Sequence, residues 1–261
     1  MFLKTISLFL FKDPWHDVKM SDLDMGIIAL VALFTSVLSG VAGMGGGITL
    51  LAAMTFVVPL PALVPLHGTT QLISNLSRVL MLLKYIHKKI FFFFCLGLPI
   101  GVIVATQLIV NLSSKTLPLV LLFVLISYAL FKPKKLPPLK LPFSAFFFVG
   151  VISGLLGILV GATGPFLAVF FLRKDLKKEE IVGTKAILQM SVHFLKIPAY
   201  LYLGFNYHDY TILILVLAVA SLLGTKLGVH LLYRVKEEVF HLLYRIALLA
   251  ALFRLGYMIV N

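Results

Sequence analysis

The reading of the fold turns on one stretch, Gly40-Val41-Ala42-Gly43-Met44-Gly45-Gly46-Gly47. It separates an apolar run at 25–42 from a second one at 47–59. Glycine inside a helix costs about 1 kcal/mol relative to alanine, so a cluster this dense predicts a broken helix. Two or three glycines could serve close helix packing, but three in a row exceed what packing needs. If the chain restarts as helix at Ile48, the amides near Gly46, Gly47 and Ile48 become a helix N-terminus. Such a terminus offers free N–H donors and a partial positive charge.

The surroundings of this stretch are those of a membrane protein. The chain is 61% hydrophobic and only 13% charged, with a mean hydropathy of +1.07, whereas soluble domains carry roughly a quarter charged residues. Apolar runs fall at 25–42, 47–59, 66–86, 90–110 and 116–131, and again at 142–157, 164–172, 181–203, 210–232 and 238–259. Several approach the roughly 20 residues that cross a bilayer as helix, and backbone in lipid must pair internally. The runs are near-continuous rather than alternating, which excludes an outer-membrane barrel. The net charge of +13 does not indicate nucleic acid, because the basic residues sit at the ends of the apolar runs, as the positive-inside rule expects. The single cysteine, Cys95, precludes a disulfide within the chain.

Four regions are expected. Residues 1–24 form an N-terminal interfacial segment, with Trp15 suited to headgroup level. Residues 25–132 form a first membrane repeat, the basic, proline-rich 133–141 a linker, and 142–261 a second repeat. Gly40-Val41-Ala42-Gly43 answers to Gly154-Leu155-Leu156-Gly157, Gly68-Thr69 to Gly183-Thr184, and Gly97 with Gly101 to Gly224 with Gly228. Repeats of this scale mark secondary transporters. The four downstream glycines read as close-packing positions between helices.

The expected fold class is an all-α integral membrane protein of two inverted repeats, each a glycine-broken, re-entrant hairpin followed by three transmembrane helices. Run 164–172 is too short to cross about 30 Å of hydrocarbon, so each opening unit returns to its own side. Three crossings then follow, and an odd number inverts the second half. This topology places the basic loops at 84–89, 132–140, 173–178 and 233–236 together on the cytoplasmic side. Lys4, Lys12 and Lys19 are the exception.

Three features bear on chemistry. The first glycine break and its counterpart, Gly161-Ala162-Thr163-Gly164-Pro165, offer half-helix termini: Gly45, Gly46, Gly47 and Ile48 in one half, Thr163 and Gly164 in the other. Second, no Asp or Glu lies inside the apolar spans, while Arg78, Lys185, His193, Lys196, Lys226 and His230 lie within or near them. A basic-only interior favours an anion and argues against a metal site. Lys185, Lys226 and His230 are expected to snorkel to the interface, and Lys196 to mark an irregular helix end near Pro198. Third, Gln71, Ser74, Asn75 and Arg78 make one polar stripe at helical spacing, and Thr184, Gln189, Ser191 and His193 a looser one. Thr69, Asn75, Arg78, Thr184 and Gln189 are therefore candidate substrate contacts. His193 is the candidate for proton coupling, being the deep residue that titrates near neutral pH unaided.

Catalytic motifs are missing from the spans: no G-x-S-x-G, HExxH or acidic cluster occurs there, and Ser39 and Ser153 read as small packing residues. GxGxxG fails at Ile48, and no cofactor is called for.

The glycine motif at Gly40–Gly47, the second break at Gly154–Pro165, the Gly-Thr pair opening the next helix of each half and the downstream GxxxG together resemble the sulfite exporter TauE/SafE family, from Met25 to near the end of the chain. The resemblance implies a multi-pass inner-membrane carrier for small sulfur-containing anions such as sulfite, sulfate, thiosulfate or sulfonates. The expected function is secondary transport, in the export direction, by alternating access. A passive anion channel is the alternative, and an intramembrane enzyme a lesser one. The expected partners are the anion and the bilayer, with a homodimer left open.

Overall fold

A computed structural model of the chain describes residues 21–108, 141–171 and 175–260, with positions 120, 123–124, 127 and 130–131 between them. Most of the expected N-terminal segment, the fifth apolar run and the linker lie outside the described residues.

Among the described residues the regular structure is entirely helical. α1 (Asp22–Ala42) is capped by Ser21, whose hydroxyl accepts the Asp24 N–H at 3.1 Å. Asp22 and Asp24 complement the dipole in its first turn. The helix stops at Gly43, in the left-handed region at φ 67°, with its N–H on the Ser39 carbonyl. α2 (Gly46–Met54) then runs for nine residues, about 13 Å at 1.5 Å per residue. α3 (Leu60–Met81) begins six residues earlier than the apolar run at 66 suggested. Pro59 caps it and Pro61 sits in its first turn, where the lost N–H has no helical partner. α4 (Lys88–Leu108) closes the described part of the first half.

The second half repeats the order. α5 (Phe146–Leu159) and the seven-residue α6 (Gly164–Phe170) flank a break. α7 (Lys178–Tyr202), α8 (Thr211–Arg234) and α9 (Glu237–Val260) follow. The Lys177 N–H bonds the Glu180 carboxylate at 2.9 Å and so starts α7.

Among the described residues, three segments are long and apolar enough to cross a membrane: Asp22–Ala42, Lys88–Leu108 and Tyr207–Arg234. They turn Leu30, Phe34, Ile103, Ile212 and Leu215 outward, an apolar surface that suits lipid rather than water. α3 and α7 are long but polar, and they pack against each other in the centre. They run antiparallel, since Gly68 meets the Lys196 side chain and Gly183 meets Leu82.

The expected packing role of the downstream glycines is what the structure shows. A Cβ at Gly97 or Gly101 would overlap the carbonyl oxygen of Phe147 or Val151 on α5, and one at Gly224 the Leu33 oxygen on α1. α4 and α5 thus lie side by side in the same direction, as do α1 and α8. Small residues permit this approach, which dispersion contacts then stabilise.

Several loops meet at one end. His87 Nε2 stands 3.6 Å from the Glu180 carboxylate, and its backbone N–H donates to Thr184 Oγ1 at 3.1 Å. The Lys178 ammonium donates to the Val235 carbonyl. Lys89 lies 5.8 Å from the Phe143 ring at the start of the second hairpin. The start of α7 at Lys178 thus lies at this same end.

Candidate functional site

The two breaks come together. A cavity of about 10 Å³ is lined by Gly45, Gly47 and Ile48 from the first break and by Ala162, Thr163, Gly164 and Pro165 from the second. His67 and Gln71 on α3 and Gln189 and His193 on α7 complete the wall, with Ser39 and Met44 from the first hairpin. The space is about that of one water molecule, too small for an oxyanion in this conformation.

Local geometry explains how the backbone is exposed there. Gly45 has φ 90° and caps α2. The first intrahelical bond runs from the Thr49 N–H to the Gly45 carbonyl at 3.1 Å. The N–H groups of Gly46, Gly47 and Ile48 therefore precede the ladder. A Cβ at Gly46 would overlap the Thr35 carbonyl oxygen, so α2 folds back directly against α1. At the second break Gly161 has φ 91°, and the Leu167 N–H to Thr163 carbonyl bond starts α6. Pro165 offers no N–H, and seven residues make a short dipole. The two breaks therefore differ: α2 presents free N–H groups at its start, and the second break contributes mainly the Thr163 hydroxyl and a shaped backbone.

Four side-chain atoms at the cavity are buried without a hydrogen-bond partner: His67 Nδ1, Thr163 Oγ1, Gln189 Oε1 and His193 Nδ1. Buried polar groups are normally satisfied, so a cluster of orphans around one small space implies a ligand or water there. The two histidine rings stand edge to face, with centroids 5.8 Å apart. His67 Nε2 donates to the Gly47 carbonyl at 2.8 Å. The roles follow because a carbonyl only accepts.

Two buried cations brace the breaks from behind. Arg78 donates to the Ser39 carbonyl at 3.2 Å, the Ser74 carbonyl at 3.4 Å and Asn75 Oδ1 at 2.7 Å. The Lys196 ammonium donates to the Gly161 carbonyl at 2.6 Å. Both are 1% exposed, and none of the described carboxylates is buried. A positive interior without a carboxylate partner attracts an anion.

Of the residues singled out from sequence, the cavity gathers Gly45, Gly47, Ile48, Thr163, Gly164, Gln189 and His193. Gly46 faces α1 instead. The Thr69 hydroxyl bonds the Leu66 carbonyl of its own helix. Asn75 bonds the Gln71 carbonyl and Arg78, and Thr184 receives the His87 N–H at the loop end. Those four stand outside the cavity wall, as does Arg78. Of the residues expected to snorkel, Lys226 and His230 are exposed, but Lys185 is not. That residue is fully buried, 3.1 Å from the Tyr244 hydroxyl, which donates to the Ala168 carbonyl of α6 at 3.0 Å. Lys196 likewise marks no helix end, since α7 runs on through Pro198 to Tyr202. Ser39 lines the cavity rather than serving packing alone. His67 and Gln71 fall inside the expected helix, Gln71 on its polar stripe, yet neither stands among the candidate contacts. Pro59-Leu60-Pro61 starts the helix earlier than 66 and puts His67 in its third turn.

A model of the family described as sulfite exporter TauE/SafE matches residues 28–255. The chain belongs to that family. No curated protein and no solved structure matches it. Membership and the apolar helices together identify a membrane transport protein of a family associated with sulfur anions.

Proposed function

We propose that this TauE/SafE protein carries a small sulfur oxyanion through the inner membrane by alternating access, with the closed cavity between the two hairpin breaks as its binding site. The observation that carries this reading is the meeting of the α2 amide terminus with four orphaned polar atoms, beside two buried cations. A tetrahedral or pyramidal oxyanion supplies the acceptors that the α2 amides and the Thr163 hydroxyl need, and the Gln189 side chain meets it by turning its Nε2 amide rather than the orphaned Oε1 toward the space. Gly45, Gly47, Ile48, Thr163, Gly164 and Gln189 contact the anion. Arg78 and Lys196 hold the breaks in place and set the potential.

The reading includes two inverted halves. Its support is in the packing: α1 lies along α8 as α5 lies along α4, while α3 and α7 cross between them antiparallel. The first hairpin would open from one side and the second from the other, the arrangement that lets two halves rock around a fixed site. The end that gathers His87, Lys89, Lys178 and the Val235 turn would be cytoplasmic. A carrier is favoured over a channel because two hairpin breaks, one from each half, meet at a single small cavity, the arrangement of a substrate site at a repeat interface.

The test is counterflow in proteoliposomes holding the purified protein. Labelled sulfite, sulfate and thiosulfate are offered with and without unlabelled anion inside, and cations serve as controls. Saturable uptake accelerated by internal anion is expected. Gln189→Leu, which removes one orphaned amide at the wall, should raise the half-saturation concentration about tenfold, the equivalent of roughly 1.4 kcal/mol. Non-saturable flux without counterflow would replace the carrier with a channel, and no oxyanion flux from folded protein would end the assignment.

A further inference from the structure

His67 imposes a condition on the ligand that the other wall residues do not. Its Nε2 hydrogen is committed to the Gly47 carbonyl at 2.8 Å. In the neutral ring, Nδ1 is then an acceptor only. That atom is buried, has no partner and belongs to a residue 1% exposed in the cavity wall. A fully deprotonated oxyanion also presents nothing but acceptors. Two acceptors face to face repel, and a bond forms only with a proton between them. The Thr163 hydroxyl can rotate and the Gln189 amide can turn to present a donor, but the His67 ring cannot turn away without losing the Gly47 bond.

The groups that face this ring leave the condition in place. The carbonyls of Gly47 and Gly161 approach it from the two breaks, and the Gly161 oxygen is already bonded to Lys196 Nζ. Lys196 acts on His67 from α7, and Lys196, His67 and Arg78 all act on His193. No carboxylate among the described residues takes part. The proton must therefore arrive with the anion or be taken from solution as the anion binds. Both routes give one complex of identical composition.

We propose that the cavity binds its oxyanion together with one proton, shared between His67 Nδ1 and an anion oxygen, and so selects oxyanions that exist as hydrogen-bearing monoanions near neutral pH. This rests on the anion-carrier reading above and narrows it. Sulfite, which is partly hydrogensulfite at neutral pH, fits the class, while sulfate and sulfonates, fully deprotonated there, do not.

The experiment reads the sign of a pH change. Proteoliposomes with a trapped pH dye and a clamped membrane potential receive external sulfite near neutral pH, with protein-free vesicles correcting for passive leak. Hydrogensulfite entering a weakly buffered lumen releases protons and acidifies it, whereas the sulfite dianion takes up protons and makes the lumen alkaline. The expected result for the unmodified protein is saturable sulfite uptake with acidification, and sulfate uptake at least about tenfold slower. His67→Gln keeps an amide N–H for the Gly47 carbonyl but replaces the basic Nδ1 with an amide oxygen that takes no proton near neutral pH. It should bring the sulfite-to-sulfate ratio toward one and flatten the rise of sulfite flux with falling pH, with folding checked by gel filtration. Saturable uptake with an alkaline lumen overturns the shared proton and leaves the carrier standing. Unchanged selectivity and pH dependence in folded His67→Gln also overturns it. No oxyanion flux in the unmodified protein removes the carrier reading and this one with it.

Discussion

The two hairpins reach the same cavity by different means. The first break uses two left-handed glycines, Gly43 and Gly45, and then drives α2 so close to α1 that Gly46 has no room for a side chain. The second uses one, Gly161, and ties the result down with polar bonds: Lys196 on the Gly161 carbonyl and Tyr244 on the Ala168 carbonyl. At Gly164, the position comparable to Gly46, a Cβ would meet only Gln189 Nε2, at 3.1 Å. The first hairpin adds direct backbone contact to the Arg78 and His67 bonds on its carbonyls and presents amides; the second is held by side-chain bonds and presents hydroxyl and amide groups. The difference places rigidity on the first and adjustability on the second.

This contrast sets the order of expected effects. Gly46→Ala should do the most damage, since the neighbour it meets is the backbone oxygen of Thr35, which cannot move without opening α1. Overpacking of this kind costs about 3 kcal/mol or more. The measurement is the yield of monodisperse protein and its thermal midpoint in detergent; a variant as stable as the parent would show that α2 does not seat against α1 in this way.

Lys196→Met comes next. It leaves the Gly161 carbonyl without its partner, a loss of about 1–3 kcal/mol, and removes a positive charge near the cavity. Both a lower thermal midpoint and a several-fold weaker half-saturation for sulfite are expected. A drop in stability alone, with affinity intact, would make the lysine a brace with no part in the field at the site.

The sequence was most legible where glycines and prolines punctuate it. The break at Gly43–Gly47 and the packing seams at Gly97, Gly101, Gly224 and Gly228 follow from the lack of a Cβ, a property that needs no tertiary context. Polar residues were less legible. Asn75, Arg78 and Thr69 share a helix with the true wall residue Gln71, yet they turn to carbonyls of their own helix or of α1. Spacing gives the face of a helix but not which groups on it are already satisfied. Lys185 illustrates the same limit: near the start of α7 it looks free to snorkel, but Tyr244, 59 residues on, folds over it with the ring centroid 4.7 Å from the ammonium. His67 lies within the expected helix, but its place at the site comes from a bond to the Gly47 carbonyl of another element, which spacing along one helix does not reveal.

Gly164→Ala should have the smallest effect on folding and so gives the finest test of the contrast. The residue lies in the first turn of α6 with no left-handed φ, so alanine gains roughly 1 kcal/mol of helix propensity. Against this stands the shift of Gln189 by a few tenths of an ångström, which a side chain beside a cavity can make. The two nearly cancel, and the thermal midpoint should stay within a few degrees. The methyl group does, however, intrude on a space of about 10 Å³. Sulfite counterflow should therefore fall several-fold while stability holds, the reverse of the pattern expected at Gly46. If Gly164→Ala unfolded the protein as Gly46→Ala should, the second hairpin would be as rigidly packed as the first, and the division of labour between them would be lost.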